Sequence, residues 1–212
     1  MQQIRLKKIV THSNKNLVYL LLLVFFLTIY GFSGHISLEY GIHLHLVSFE
    51  KDIPFLPWTI WIYAVLYISY IIWCLYSYRN EREMQKVAYG FILLVLTSCI
   101  IYMVFPIIYP RESFPLPINN DITILIFQAV RSVDKPCNCF PSTHVGLSFL
   151  FAYGFIKESK IRFCLAIFVS VLISISTLTT KQHYFYDVVL GFLFASLIYF
   201  FLARFTEVQE SY

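Results

Sequence analysis

The stretch PCNCFPSTHVGLSFLF (residues 136–151) decides the fold, because it changes from polar chain to a mainly apolar run within a few residues. Pro141 ends any preceding helix and Ser142 is a favourable N-cap, so a helix is predicted to begin here. A second stretch, TKQHYFYDVVLG (residues 180–191), makes the same change before another apolar run. Both stretches place side chains capable of chemistry at the entrance to a hydrophobic helix.

The composition of the chain is that of a membrane protein. Of its 212 residues, 58% are hydrophobic and 13% are charged, whereas about a quarter of the residues in average soluble proteins are charged. Six segments lack Asp, Glu, Lys and Arg: residues 17–38, 53–78, 87–110, 136–156, 163–180 and 188–203. Most reach the roughly 17 to 25 residues that a bilayer-crossing helix needs. We predict one all-α membrane domain (residues 1–212), a bundle of six transmembrane helices with a short or tilted fourth and sixth helix.

The distribution of basic residues predicts the orientation of this bundle. If the six segments alternate in direction, 11 of the 16 Lys and Arg residues lie on the side of the N-terminus. Basic loops stay in the cytoplasm, so both termini are expected to be cytoplasmic. The two polar stretches then lie together on the periplasmic or lumenal face, and the expected location is the bacterial cytoplasmic membrane.

Two loops are longer than a simple connection. The alternating pattern of residues 35–52 predicts a short strand pair or an interfacial helix. The loop of residues 109–141 begins with prolines that exclude a helix and continues with an amphipathic stretch. Asn120 or Asp121 can cap a short helix that runs to about Val133 and lies on the membrane surface or partly within it.

The spacing of His183 and Asp187 points to an oriented imidazole. If a helix runs from about Gln182, these side chains are four residues apart and share one face. The carboxylate can then accept one ring N–H and leave the other nitrogen free, as a nucleophile or base requires. Lys181 adds a cation that suits a phosphate or sulfate. The alternative is an interfacial ion pair that only orients the helix.

His144 lies in the first turn of the helix predicted after Ser142. Helix starts attract anions, and a histidine there can exchange a proton near neutral pH. No acidic residue is paired with His144 in the way that Asp187 is paired with His183. The two stretches together describe an anion pocket with a nucleophile and an acid, although a capping serine beside an incidental histidine remains the alternative for the first.

These residues resemble the signatures of the type 2 phosphatidic acid phosphatase superfamily. The PSTH of residues 141–144 is similar to its Pro-Ser-Gly-His motif, and STLTTKQHYFYD (residues 176–187) is similar to its Ser-Arg segment followed by His and, four residues on, Asp. The motifs CNCFPSTH and TKQHYFYDVVLG look closest to the branch that contains inositol phosphorylceramide synthases. The resemblance covers about residues 105–191, with Thr143 in place of the family's Gly and Thr177 in place of its Arg.

The resemblance implies a role for each matching residue. His183 would be the nucleophile that carries the phosphoryl group, Asp187 would orient it, and His144 would protonate the leaving group. Ser142 and the helix N–H groups from Thr143 onward would hold phosphate oxygens, with Lys181 as the local cation. The family's first signature has no clear match.

The sequence offers only substitutes for the basic residue of that first signature. Arg111, which follows Pro110, is the best candidate to bind the phosphate. Arg131 or Lys135 is the reserve.

The predicted function is a membrane-embedded lipid phosphatase that acts on a lipid phosphate or diphosphate through phosphohistidine. A lipid phosphotransferase like inositol phosphorylceramide synthase would use the same residues. A transporter or anion-binding membrane protein is the alternative from another class, but transporters typically carry mid-bilayer ionisable residues and repeats. We expect a lipid phosphate substrate and membrane lipids as partners, no metal, no cofactor and no nucleic acid.

Overall fold

The computed structural model describes residues 4–44, 46–118 and 121–208. Within them the helices are α1 (Lys15–Tyr40), α2 (Ser48–Asp52), α3 (Tyr67–Ser77), α4 (Glu81–Val104), α5 (Ile122–Val133), α6 (Thr143–Tyr153), α7 (Lys160–Thr179) and α8 (Phe185–Phe205). A 3₁₀ turn (Pro57–Thr59) and a π-helical turn (Trp61–Leu66) lead into α3, and a second 3₁₀ turn (Arg111–Ser113) follows α4. Short parallel strands pair β1 (Ile4–Leu6) with β4 (Thr206–Val208) and β2 (Ile42–His43) with β3 (Ile107–Ile108).

Five helical segments of the described chain are long and apolar enough to cross a membrane: Lys15–Tyr40, Pro57–Ser77, Glu81–Val104, Lys160–Thr179 and Phe185–Phe205. Their outer faces remain apolar, since side chains such as Leu20, Phe168 and Phe200 are more than half exposed. Exposed apolar faces of this extent fit contact with lipid rather than water. The chain is therefore nearly all α-helical and has the features of an integral membrane protein.

The fourth predicted span is short, as expected, whereas the sixth, α8, has 21 residues and is longer than expected. The helix of the fourth span, α6, has 11 residues, roughly 16 Å at 1.5 Å per residue, and the preceding residues 136–142 are irregular. Every residue of α6 except His144 is buried, because α3, α4, α7 and α8 pack around it. A helix sheltered by protein need not span the bilayer, and irregular backbone is tolerated beside it. The count of six spanning helices thus stays a prediction.

The five long segments and the shorter α6 nevertheless alternate in direction. We call the end with residues 141–144 and 183–187 the motif end, and the end with residues 79–82 and 157–162 the tail end. At the motif end, the hydroxyl of Tyr102 near the end of α4 donates to the carbonyl of Pro141 (2.6 Å). At the tail end, Glu158 after α6 accepts from the backbone N–H of Asn80 before α4 (3.0 Å). Helix α6 therefore runs from the motif end towards the tail end.

Two glycines bring α6 and α8 together at the motif end. A Cβ atom on Gly191 would lie 2.5 Å from the carbonyl oxygen of Ser142, and one on Gly146 would lie 3.2 Å from the carbonyl oxygen of Gly191. The close approach lets the backbone N–H of Ser142 donate to the carbonyl of Asp187 (3.0 Å). The two polar stretches are thereby joined directly.

The loops match their predictions in part. Helix α5 begins after Asp121, whose side chain accepts from the N–H of Thr123 (2.8 Å), and ends at Val133 as expected. Asn120, the other predicted cap, lies outside the described residues. Ile124 and Phe127 of α5 are buried, while the position of α5 at the membrane surface stays a prediction.

The loop of residues 35–52 was predicted to hold a strand pair or a helix, and it contains one strand and one short helix. Helix α1 continues to Tyr40, so the segment is shorter than expected. Strand β2 pairs with β3, which follows α4, rather than with a strand in its own loop. Helix α2 follows and reaches the motif end through Glu50.

Candidate functional site

The structure brings His183, Asp187 and Ser142 into contact at the motif end. The Nδ1 atom of buried His183 lies 3.3 Å from Oδ2 of Asp187 and 3.0 Å from the carbonyl oxygen of Cys139. Both neighbours are acceptors, so Nδ1 carries the proton of the neutral ring. The other ring nitrogen, Nε2, is then unprotonated and lies 3.3 Å from Oγ of Ser142. This is the tautomer in which Nε2 can act as a nucleophile or base.

The contact between His183 and Asp187 does not arise from a shared helical face, as the sequence had suggested. Helix α8 begins at Phe185 rather than near Gln182. The carboxylate of Asp187 accepts the backbone N–H of Tyr184 (2.8 Å), which caps the helix and leaves His183 just before it. The same carboxylate therefore starts the helix and holds the imidazole ring.

The start of α8 is also occupied by a residue that the sequence did not single out, Glu50 of α2. Its buried carboxylate accepts the backbone N–H of Phe185 (2.6 Å) and that of Val47 (2.9 Å). With Asp187 on Tyr184, two carboxylates fill this helix start. The N–H groups of Tyr184 and Phe185 are therefore already paired, and the anion pocket that the two stretches describe stays a prediction.

Lys181 lies beside this cap. Its Nζ donates to the backbone carbonyl of Glu50 (2.9 Å) and lies 4.9 Å from the ring centre of Phe114. Its φ of 54° is in the left-handed region, which redirects the chain between α7 and α8. Burial lowers the pKa of Lys181, and the nearby charge of Glu50 opposes that effect. The predicted contact of Lys181 with phosphate stays a prediction.

The backbone N–H groups at the start of α6 have fewer acceptors than those at the start of α8. Oγ of Ser142 accepts from the N–H of Val145 at 3.4 Å, a long capping bond. Within residues 4–44, 46–118 and 121–208, the backbone N–H groups of Thr143 and His144 have no acceptor. Unpaired N–H groups at a helix start bind anions. Of the two helix starts, the start of α6 is the one suited to a phosphate.

His144 lies against two tyrosines and the other histidine. Its ring centre is 4.4 Å from that of Tyr63 and 4.8 Å from that of Tyr67. The ring centres of His144 and His183 are 6.0 Å apart, edge to face. A group bound beside one imidazole is thus also beside the other.

A buried acid, Asp134, forms the back of the site. Its Oδ2 accepts from Nη2 of Arg111 (3.1 Å) and from the hydroxyl of Tyr63 (2.6 Å), and Nη1 of Arg111 donates to its backbone carbonyl. Burial raises the pKa of Asp134, but the charge of Arg111 and the hydrogen bond from Tyr30 help to lower it overall, to about 2. Asp134 is therefore ionised at neutral pH.

The position of Asp134 changes the interpretation of two predicted residues. His144 was expected to lack a paired acid, but Tyr63 lies between it and Asp134: the Tyr63 hydroxyl is 3.4 Å from Nδ1 of His144. Arg111, predicted to bind the phosphate, is buried and paired with Asp134, while its Nε has no protein partner in the described part of the chain. Its contact with phosphate stays a prediction.

The reserve cations have other partners. Arg131 donates to the carbonyl of Phe114 (3.1 Å) and lies 4.8 Å from the ring centre of Phe127. Lys135 is exposed and donates to the carbonyl of Ser132. In the described ranges, no group of three or more His, Cys, Asp or Glu side chains is arranged to hold a metal.

Sequence reasoning missed Glu50, Tyr63 and Asp134. Glu50 and Tyr63 come from segments far from the two polar stretches, and Tyr63 lies in a π-helical turn that interrupts an ordinary apolar run. Such turns often occur at functional sites, but an apolar sequence does not distinguish them from an α-helix. An acidic residue directly after the predicted end of the loop helix at Val133, Asp134, was the one available signal.

Comparison with known proteins identifies the family of the chain. A sequence model of the PAP2 superfamily matches residues 36–201, which include both polar stretches and most of the helical bundle. No curated protein and no solved structure matches the chain. With more than half of its length matched, the chain belongs to the PAP2 superfamily.

Proposed function

We propose that this protein is a membrane-embedded phosphatase that removes phosphate from a lipid phosphate or diphosphate through a phosphohistidine at His183. Membership of the PAP2 superfamily supports phosphatase-type activity on phosphate esters. The observation that carries the proposal is the geometry of His183. Two acceptors engage Nδ1, so the lone pair of Nε2 is directed towards Ser142 and the open start of α6.

In the first step, the lone pair of Nε2 attacks phosphorus and the bond from phosphorus to the leaving oxygen breaks. The leaving oxygen takes the electron pair and the Nε2 proton of His144, which begins this step as the imidazolium and ends it neutral with one proton on Nδ1. The His144 ring borders that of His183. Asp187, 3.3 Å from Nδ1, stabilises the positive charge that develops on the attacking ring.

In the second step, water attacks the phosphoryl group and the N–P bond breaks. The electron pair returns to Nε2 of His183, and the water proton passes to His144, which regains the form it had at the start. Phosphate leaves and the site is ready for another turnover.

The charge on the phosphoryl oxygens is stabilised by fixed donors. The Ser142 hydroxyl and the N–H groups of Thr143 and His144 supply neutral donors at the start of α6. Arg111, held by Asp134, and Lys181 supply positive charge. Phosphoryl transfer needs chiefly such positioning and charge stabilisation.

The membrane setting supports a lipid substrate. The site lies at one end of a bundle whose exterior is apolar, so acyl or prenyl chains can stay in the bilayer while the phosphate enters the site. We assign the site to the periplasmic or lumenal face, the termini to the cytoplasm and the protein to a bacterial cytoplasmic membrane. The excess of Lys and Arg on the side of the N-terminus supports this assignment.

The test is phosphate release by the purified protein in detergent micelles, with a panel of lipid phosphates and diphosphates. His183→Ala should abolish release, while His35→Ala, a change of an exposed histidine in α1, should leave it unchanged. Equal activity of the two variants would refute the proposal. Loss of substrate without phosphate release, seen only when an alcohol acceptor is added, would identify a phosphotransferase instead.

A further inference from the structure

Asp134 is held by donors from three separate segments. The Tyr30 hydroxyl of α1 donates to Oδ1 (2.6 Å), and the Tyr63 hydroxyl of the π-helical turn donates to Oδ2 (2.6 Å). Arg111, after α4, donates to Oδ2 as well. A buried carboxylate is costly unless donors and a counter-charge satisfy it. These contacts satisfy both oxygens, and they give Asp134 one fixed position.

Of these donors, Tyr63 is the one that contacts His144. Its single hydroxyl proton goes to Asp134, so the oxygen has only lone pairs left to offer. Nδ1 of His144 lies 3.4 Å from that oxygen, and the two rings are stacked with centres 4.4 Å apart. The Tyr63 oxygen can therefore accept a hydrogen bond from the N–H of Nδ1 but cannot donate one to it. That arrangement leaves Nε2 of His144 as the nitrogen that exchanges a proton with a ligand.

We propose that Tyr63 is a positioning residue for His144. Asp134 fixes the hydroxyl of Tyr63, and the fixed Tyr63 side chain in turn orients the imidazole ring of His144. The inference rests on the proposed function, in which His144 protonates the leaving group. A general acid works only within hydrogen-bond reach of the atom it protonates, so the orientation of its ring decides its efficiency. Stacking restrains the plane of the His144 ring, and the Tyr63 oxygen selects which nitrogen carries the proton inside the protein.

The chain contains a matched control for Tyr63. Tyr30 and Tyr63 are both buried, and each donates to the Asp134 carboxylate at 2.6 Å. Of these two tyrosines, only Tyr63 contacts His144. A phenylalanine in place of either tyrosine removes one hydroxyl from Asp134 and keeps the ring, so the two variants differ in the contact with His144.

The kinetic test compares an alkyl phosphate with an aryl phosphate, whose better leaving group needs no proton. Tyr63→Phe should lower turnover of the alkyl phosphate about tenfold more than that of the aryl phosphate, a part of the 100-fold or larger effect of a general acid. Tyr30→Phe should lower both equally. In a His144→Ala background, Tyr63→Phe should not change the ratio further. An unchanged ratio in Tyr63→Phe, or the same change in Tyr30→Phe, would overturn the proposal.

A second measurement does not depend on activity. Nitrogen-15 chemical shifts of the labelled His144 ring report which nitrogen carries the proton. In the neutral His144 ring, we expect Nδ1 to be protonated in the unsubstituted protein and in Tyr30→Phe, and both tautomers to be populated in Tyr63→Phe. Identical tautomer populations in all three would refute the role of Tyr63 whether or not the protein is a phosphatase. A tautomer change without any phosphate release by the unsubstituted protein would leave Tyr63 as the residue that orients His144 and refute the proposed function alone.

Discussion

The starts of α6 and α8 are adjacent but are satisfied in different ways. The start of α8 takes two carboxylates, Asp187 on the N–H of Tyr184 and Glu50 on the N–H of Phe185. The start of α6 has only the hydroxyl of Ser142, at 3.4 Å from the nitrogen of Val145. Negative charge is already supplied at α8 and is lacking at α6.

The difference assigns separate tasks to the two helix starts. A helix start filled by acidic side chains repels a phosphate, whereas one with unpaired N–H groups attracts it. On this account, α6 holds the phosphoryl group, and the cap of α8 holds the nucleophile that attacks it. The carboxylate of Asp187 accepts from the N–H of Tyr184 and contacts Nδ1 of His183, so the proposed nucleophile is held against the start of the helix.

The largest effect is expected from a change of Asp187, because its carboxylate both caps α8 and contacts His183. Asp187→Asn keeps an oxygen for the N–H of Tyr184 but removes the negative charge beside Nδ1 of His183, whose proton the Cys139 carbonyl still accepts. Turnover should fall about 10,000-fold, since the positive charge that develops on the attacking ring loses its counter-charge. Steady-state kinetics measure the loss of turnover. The melting temperature should change little and shows that the fold is kept.

Glu50→Gln is the matched control for that variant, because it makes the same chemical change on the neighbouring N–H of α8. It should reduce stability by about 1 kcal/mol, because the two Glu50 oxygens accept from different N–H groups and Gln keeps only one oxygen. Turnover should stay within about threefold of the unsubstituted protein, since that cost falls on the helix cap. If Glu50→Gln impaired turnover as strongly as Asp187→Asn, the distinction between cap and nucleophile would be lost.

A smaller effect is expected from separating the two helix starts. In Gly191→Ala, the new Cβ would be 2.5 Å from the Ser142 carbonyl oxygen, so α6 and α8 must move apart. Such overpacking costs on the order of 2 kcal/mol, and a displacement of about 1 Å in the site lowers turnover about 100-fold. Gly31→Ala is the control, because a Cβ there meets no atom within 4 Å. Equal activity of the two variants would show that the close approach is not required.

The smallest effect is expected from the hydroxyl cap of α6. Ser142→Ala removes one donor to the phosphate and should lower turnover about tenfold, the equivalent of roughly 1.4 kcal/mol for one hydrogen bond. Ser159→Ala is the control, since Ser159 caps α7 at the tail end with the same 3.4 Å distance to a backbone N–H. Both variants lose a cap, but only Ser142→Ala should affect kinetics. A similar loss in both would attribute the effect to helix stability.

Local sequence patterns predicted the residues that lie next to one another in the chain. Pro141, Ser142 and His144 mark a helix start, and His183 with Asp187 marks an imidazole with a nearby acid. The late start of the apolar run predicted a short α6, but not its burial among four helices, which depends on packing. The partners Glu50 and Tyr63 are brought to the motif end by tertiary packing, which no local pattern specifies.

The most direct test of the central claim is the location of the covalent phosphoryl group. The protein would be mixed briefly with a phosphorus-32-labelled substrate and quenched in alkali, in which phosphohistidine persists, and the labelled peptide would be sequenced by mass spectrometry. The account predicts label on His183, no label in His183→Ala, and label that persists longer in His144→Ala because the second step lacks its base. Label on Ser142, or label retained in His183→Ala, would contradict the account.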